Sequence, residues 1–336
     1  MTARTPRLQY MSDISPQELL LQRTRANSAR NERGDPYHLA LVLEGGGMRG
    51  VVSVAMASAL EERGLLPAFD SVHGSSAGAC GAAYFAAGQA ALGTSVYYED
   101  INNTNFINIA RPLSGRSIMN KDFLIDYVMR RVKPLNAKKI VDDPKFVHIV
   151  TTNATTGEEQ VFSDFRSEER LFQVLKATIC IPVIAGRLVH VDGLPLVDGG
   201  VVQQISLKSA IKRGATHIIV LMTRAADELE RPEGMNLLQL LLLRLLYGRK
   251  LAKVAQVRNA EINNTIEIVN SGKFDEGGRK IVIDSVVRPS GSSFVDRLTT
   301  NAEILRQGAS EGRTATFTYL DHVDTHQAGA LKNAVS

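Results

Sequence analysis

Cysteine is scarce. Cys80 and Cys180 are the two in 336 residues, too few for a disulfide framework or a four-cysteine metal site. No spacing of His, Cys, Asp and Glu has metal-ligand character, so neither a metal nor another cofactor is expected. Long apolar runs are also missing. The greasiest stretch, Met235 to Tyr247, is thirteen residues and is interrupted by Gln239 and Arg244. As a helix it would span about 20 Å, against roughly 30 Å of hydrocarbon. Near the start, Leu19-Leu20-Leu21 is too short for a secretory h-region. A cytoplasmic protein with at most peripheral membrane contact is expected. A strong charge of one sign is absent too: 39 Lys and Arg face 35 Asp and Glu. Within residues 1–34, six arginines (Arg4, Arg7, Arg23, Arg25, Arg30, Arg33) meet Asp13, Glu18 and Glu32, which leaves the remainder near neutral. A nucleic-acid partner would require a basic face. There is no internal repeat and no low-complexity tract.

What is present is ordinary globular composition, 44% apolar and 22% charged, with length for one large domain or two modest ones. Residues 1–36 read as a flexible basic arm with one short helix over 16–25. Leu39 to Leu43 is an apolar run of strand length, followed at once by glycines. Apolar residues then recur at helical spacing from Arg49 to Arg63, and Gly64 ends that helix. Ser71-Val72-His73 predicts a second strand, Ala77 to Ala87 a helix, and Asn120 to Arg131 another with Phe123, Tyr127 and Val128 on one side. Further strands are expected at 146–152, 160–162, 188–191, 194–197, 217–222 and 281–286. Helices are expected over 207–213, in two pieces over 226–280, and over 300–314, before a loose tail from His322. Strands alternating with helices predict an α/β fold with a mainly parallel sheet, whose ligands bind beyond the carboxyl ends of the strands.

Three constellations carry chemistry. Gly74-Ser75-Ser76-Ala77-Gly78 fits G-x-S-x-G between a strand and an Ala-rich helix, where a tight turn would present the Ser76 hydroxyl at a helix N-terminus. Glu44-Gly45-Gly46-Gly47-Met48-Arg49-Gly50 exposes consecutive backbone N–H groups able to bind an oxyanion or a phosphate. It also satisfies G-x-G-x-x-G, so a dinucleotide-binding oxidoreductase is a rival reading. That rival needs an acid ending the second strand, whereas Asp70 precedes it. Val197-Asp198-Gly199-Gly200 places a carboxylate at the end of an apolar run. Together they specify glycine amides for an oxyanion, Ser76 to attack and a carboxylate to take its proton. No histidine after Asp198 is well placed for a triad, so a Ser–Asp dyad fits better. A non-catalytic interaction protein working through the basic arm is a third class, disfavoured by the retention of both Ser76 and Asp198.

These residues resemble the patatin-like phospholipases. The three motifs stand in that family's order, and Ala177-Thr178-Ile179-Cys180-Ile181-Pro182 matches a fourth element with Thr178 in place of Ser. Gln204-Ile205-Ser206 stands where many members carry a proline. The resemblance covers about residues 38–225. It implies a three-layer α/β/α sandwich with catalytic core 37–225, a C-terminal extension 226–320 packed on it, and a tail 321–336. It also implies a serine lipid acyl hydrolase, of phospholipase A, lysophospholipase or general esterase type, acting through an acyl-enzyme. Ser76 would be the nucleophile, Asp198 the base, and the Gly45, Gly46 and Gly47 amides the oxyanion hole, with Gly74 and Gly78 shaping the elbow. Arg49 would order the loop or meet a headgroup. The leucine-rich segment 235–251 reads as a buried or dimer helix, or as a membrane-docking one. Oligomeric state is open.

Overall fold

A computed structural model describes residues 14–229 and 237–333. Among them nine strands join one sheet: β1 (Leu39–Leu43), β2 (Ser71–Ser75), β3 (Val147–Asn153), β4 (Glu159–Phe162), β5 (Val189–Val191), β6 (Leu194–Asp198), β7 (His217–Ala225), β8 (Lys273–Glu276) and β9 (Arg279–Arg288). The block β3-β2-β1-β7-β9 is parallel throughout. The remaining strands, β4, β5, β6 and β8, pair antiparallel at its margins. Helices α1 (Pro16–Arg25), α2 (Gly50–Glu62), α3 (Ala77–Ala87), α4 (Ala90–Glu99), α5 (Ala137–Val141), α6 (Glu168–Thr178), α7 (Leu207–Lys212), α8 (Leu237–Tyr247), α9 (Arg249–Ser271) and α10 (Ala302–Asn333) surround it.

The period of two along a strand sorts side chains onto opposite faces. Leu39, Leu41 and Leu43 of β1 and Ile219 and Leu221 of β7 pack with α2, α3 and α10. Ala40, Val42, Ile218, Val220 and Met222 pack on the other face, with α7 and with Ile262, Ile266 and Val269 of α9. The result is the expected three-layer α/β/α sandwich with a mainly parallel central sheet.

One junction in this sheet positions the site. β3 pairs with β4 over Ile149–Thr152, with β2 over Val147–Val150 and with β6 over Thr151–Asn153. The overlaps put β4 on one edge of β3, and β2 and β6 on the other. β2 runs parallel to β3 and β6 antiparallel, so their carboxyl ends meet head-on, Ser75 opposite Val150 and Asp198 opposite Thr151. The meeting is tight: a Cβ on Gly199 would lie 2.1 Å from the Val150 carbonyl oxygen and 3.0 Å from Ser75 Cβ.

Several elements differ from expectation. Helix α1 forms over residues 16–25, with a Ser15/Glu18 capping box and Pro16 in its first turn, but residues 14–36 are not a flexible arm. Leu19 and Leu20 are buried, and the buried Arg23 guanidinium pairs with Asp35 at 2.7 Å and Asp70 at 2.6 Å. Residues 1–13 of the expected arm lie outside the described residues. Residues 123–132 form a π-helix, whose wider turn buries Leu124, Ile125, Val128 and Met129 and leaves Tyr127 half exposed. The strand expected over 281–286 lies within β9, but residues 273–280, expected as helix, are β8, a turn and the start of β9, so that 273–288 form a hairpin. Gly272 (φ 69°) stops α9, and Gly277 and Gly278, both at positive φ, make the turn. The extension therefore adds strands to the core sheet as well as packing on it. The loose tail expected from His322 is instead helical backbone, α10 continuing to Asn333. No helix among the described residues is long and apolar enough to cross a membrane.

Candidate active site

Because β1 and β2 are parallel neighbours, the loops that follow them emerge at the same end of the sheet. After β2 the chain reverses at Ser76, with φ 53° and ψ −131°, and enters α3 directly. A non-glycine residue held there costs on the order of 1–3 kcal/mol and persists only where its surroundings impose it. The flanking glycines show how. A Cβ on Gly74 would lie 2.5 Å from the Gly78 carbonyl oxygen, and one on Gly78 would lie 2.3 Å from that of Leu43. Only hydrogen at both positions lets α3 start so close to β1 and β2.

The elbow is also pinned from outside. The Ser76 amide donates to Thr178 Oγ1 at 2.9 Å, and the Thr178 hydroxyl donates to the Val150 carbonyl at 2.6 Å. The Ser76 hydroxyl donates to Asp198 Oδ2 at 2.7 Å. Asp198 arrives at the end of β6 and is fixed on every side. Its Oδ1 accepts from the Gly200 amide at 2.6 Å, its own amide donates to the Cys180 carbonyl at 2.9 Å, and its carbonyl accepts from Thr152 Oγ1 at 2.8 Å. Burial pushes its carboxyl up to about 6, although the hydrogen bonds from Ser76 and Gly200 pull the other way.

The glycine loop divides the expected oxyanion donors. The Gly45 amide donates to the Gln204 carbonyl at 3.1 Å and is therefore taken. Among the described residues no acceptor takes the Gly46 or Gly47 amide, and both glycines line the cavity that contains Ser76. Glu44 anchors the loop from below, accepting from the Thr223 amide at 2.6 Å and from Gln204 Nε2 at 2.8 Å. Its burial would raise its pKa, but Arg224 and Arg49 outweigh that and hold the carboxyl below its usual range. Arg49 is buried, and its Nε donates to Thr223 Oγ1 at 3.1 Å. This places it behind the loop rather than in the cavity.

Ser76 stands between two spaces. On one side is an open vestibule of about 320 Å³, lined by the glycine loop, Asp198, Gln204, Arg258, Arg297 and Leu298. On the other is a narrow apolar channel of about 40 Å³ between α2, α3, α4 and the π-helix, lined by Met48, Val54, Tyr97, Phe106, Met119 and Met129. Cys80 also faces this channel, its thiol pushed up to about 12 by burial.

Sequence reading missed the parts that hold these groups in place. Gln204, met only as a departure from a family proline, ties the glycine loop to the aspartate loop. Its Oε1 accepts from Arg297 Nη2 at 2.9 Å and from Arg258, and Arg258 Nε donates to the Gly200 carbonyl at 2.6 Å. Only the threonine of the Ala-Thr-Ile-Cys-Ile-Pro run gave a signal for Thr178. The histidines lie elsewhere. His73 stacks on His148 with ring centroids 4.3 Å apart and bonds Ser71 and Ser209. Asp70, the acid that a dinucleotide site would need, lies before β2, at the far end of the sheet, bound to Arg23, Arg33 and the Leu39 amide.

Fold and loops together define an α/β protein of patatin type. The patatin-like phospholipase family profile matches residues 41–211, about half of the chain, and the chain belongs to that family. Among curated proteins, the uncharacterized protein YjjU of Escherichia coli (strain K12) is 26% identical over 193 residues, which cover 56% of this chain and 52% of that protein. Patatin-like phospholipase domain-containing protein 4 of Homo sapiens is 34% identical over 80 residues, 24% of this chain and 31% of that one. The chain thus matches about half the length of the first relative and less than a third of the second. Among solved structures, the crystal structure of VipD from Legionella pneumophila superposes with a TM-score of 0.49 at 14% identity, covering 85% of this chain and 67% of that one.

Proposed function

We propose that this protein hydrolyses fatty acyl esters of phospholipids or related lipids by a Ser76–Asp198 dyad. The observation that carries the reading is the 2.7 Å hydrogen bond from the Ser76 hydroxyl to Asp198, at a positive-φ elbow between an apolar channel and an open vestibule. Ser76 Oγ attacks the ester carbonyl carbon while its proton passes to Asp198 Oδ2. The oxyanion is received by the Gly46 and Gly47 amides. As the C–O bond breaks, the leaving alcohol takes the proton from Asp198 and the acyl chain remains on Ser76. Water then attacks the acyl-enzyme with Asp198 again as base, releasing the fatty acid. An exposed aspartate, with a pKa of about 3.9, is a weak base at neutral pH. The upward shift at Asp198 supports its assignment. Three methionines in the channel support acyl chains of adjustable length, since thioether side chains repack readily.

The test is hydrolysis of a p-nitrophenyl acyl series by wild type, Ser76→Ala and Asp198→Asn with chelator present, together with fluorophosphonate labelling. The reading expects labelling at Ser76 and at least a thousandfold loss in both variants. Activity that survives Ser76→Ala refutes it.

A further inference from the structure

Besides the loops of the site itself and a short stretch that brings Asp296, Arg297 and Leu298, three chain segments supply the rim of the vestibule around Ser76. Residues 101–121 contribute Met119, residues 179–191 contribute Ile181, Pro182 and Ile184, and residues 237–260 contribute Arg258. Their sequences share a property that the whole chain lacks. Together they hold nine lysines and arginines and no aspartate or glutamate: Arg111, Arg116 and Lys121, then Arg187, then Arg244, Arg249, Lys250, Lys253 and Arg258. The rest of the chain holds thirty basic against thirty-five acidic residues. The near-neutral total conceals a basic rim on an otherwise acidic molecule.

The same segments carry the most exposed large apolar side chains. On α8, Leu240, Leu243 and Tyr247 pack inward on Val197, Val201 and Leu251. Leu237, Leu241 and Leu245, one helical turn apart, point outward at 83%, 60% and 78% exposure, with Leu246 beside them. In the 101–121 segment, Ile109 is 78% and Leu113 93% exposed, the latter on a short turn at Arg111–Ser114. Both apolar projections are tied to the middle segment. The Tyr247 hydroxyl donates to the Gly186 carbonyl at 3.4 Å, Lys121 Nζ donates to the Ala185 carbonyl at 2.8 Å, and the Met119 amide donates to the Ile184 carbonyl at 3.1 Å. They therefore flank one mouth rather than lying on unrelated faces.

Isolated exposed leucines need no explanation, but a cluster ringed by cations does. A second copy of this chain would have to bring the same basic rim against itself. An acidic soluble partner would leave the leucines without a role. An anionic bilayer satisfies both features, taking leucines below its headgroups and cations at their level. We propose that the outer face of α8 and the 109–116 turn form an interfacial docking surface for anionic phospholipid membranes, seating the vestibule against the lipid. Arg244 on α8 and Arg249 and Lys250 just after it are exposed, free to meet such headgroups. The proposal rests on the lipid-hydrolase reading for its purpose and not for its physics.

The experiment co-sediments the full chain, carrying Ser76→Ala to keep the lipid intact, with sucrose-loaded vesicles of phosphatidylcholine alone or with 30% phosphatidylglycerol. It is repeated with Leu241→Glu/Leu245→Glu and with Leu113→Glu. These leucines are exposed, so native thermal melts are expected. Binding to the anionic vesicles should exceed binding to the neutral ones at least tenfold. It should fall at least tenfold in the α8 variant and in 0.5 M salt, and measurably in Leu113→Glu. In the Ser76-intact background, turnover of vesicle lipid should fall at least tenfold more than turnover of a water-soluble ester. Equal vesicle binding by folded wild type and variants overturns the surface. So does a dimer in solution that the α8 substitutions split. Salt-sensitive vesicle binding by a protein that hydrolyses no ester leaves the surface standing and removes the hydrolase reading. Ester hydrolysis without vesicle binding does the reverse.

Discussion

Asp198, the base of the proposed dyad, carries a cost in stability. Its carboxyl is pushed up to about 6 in the fold, against about 3.9 in an open chain. As a base it must be ionised, so kcat/KM should fall tenfold per pH unit below about 6, which a pH–rate profile on a soluble ester reads directly. The folded state binds the proton more tightly than the unfolded one between those two values, so this group withdraws stability as pH rises from about 4 to 6. Asparagine keeps the shape and the acceptor oxygen without the charge. Asp198→Asn should therefore be inactive yet unfold at a higher temperature than wild type at pH 7.5, as a thermal melt would show. Thr178 offers a second test. Its hydroxyl accepts from the Ser76 amide and donates to Val150. Thr178→Ser should retain activity within about threefold. Thr178→Val keeps the volume but leaves a buried N–H without its acceptor, worth about 1–3 kcal/mol, and should lower kcat by tenfold or more with KM little changed. That Ser76, Asp198 and the glycine loop come together could be read from the sequence, because each stands in a rare local pattern. Thr178 and Gln204 could not, because one hydroxyl or one amide carries no pattern of its own.

At the level of elements, glycine marks close approach. Gly199 stands where the ends of β2 and β6 meet over β3, and its missing Cβ would touch the Val150 carbonyl at 2.1 Å. Gly199→Ala should destabilise the protein by several kcal/mol in denaturant titration and remove activity, since separating the strands separates Ser76 from Asp198. Gly193→Ala, in the β5–β6 turn, is the contrast: nothing lies near its Cβ, and only its positive φ of 78° resists. Its cost should stay near 1 kcal/mol, with activity retained. β1 and α3 were legible without any apolar face, the one as a continuous apolar run stopped by glycines and the other as an Ala-rich stretch, since both are buried on every side. The helix expected over 120–131 is there, but its π form was not legible, because its period differs from the one assumed. Of the β8–β9 hairpin, β9 was foreseen in part as a strand over 281–286, whereas β8, Lys273–Glu276, is short and polar and was not.

The whole molecule stores neutral histidines in its interior. Burial holds His148 down at about 3, His73 well below its ordinary value, and His38 and His217 below theirs. In the unfolded chain each protonates near 6.5. Below that pH the unfolded state binds more protons, so these groups contribute stability that is full above about pH 7 and lost as pH falls. They outnumber the opposing carboxyls, Asp198, Asp284 and Glu61, which burial raises. Unfolding midpoints at pH 5 should lie below those at pH 7.5, and an equal or higher midpoint at pH 5 would contradict this. At this scale the α/β/α class was legible from alternating strands and helices. That residues 14–36 clamp onto the core was not, since the clamp is one buried arginine meeting Asp35 and Asp70, partners 12 and 47 residues away.

On the proposed mechanism, the head-on meeting of β2 and β6 makes catalysis a gauge of alignment. Ser76 and Asp198 are 122 residues apart in sequence, and no hairpin or short loop joins them. What sets their distance is the count of rungs along β3. A slip of β6 by two residues would return every side chain to its own face and keep the ladder, yet would carry the carboxylate about 7 Å from the hydroxyl. Such a protein would pass spectroscopic tests for folding and fail to turn over. The proposed hydrolysis would thus report on sheet register with a resolution that bulk measures of secondary structure do not have, and loss of turnover in distant β3 or β6 variants would read as misregistration before either Ser76 or Asp198 is touched.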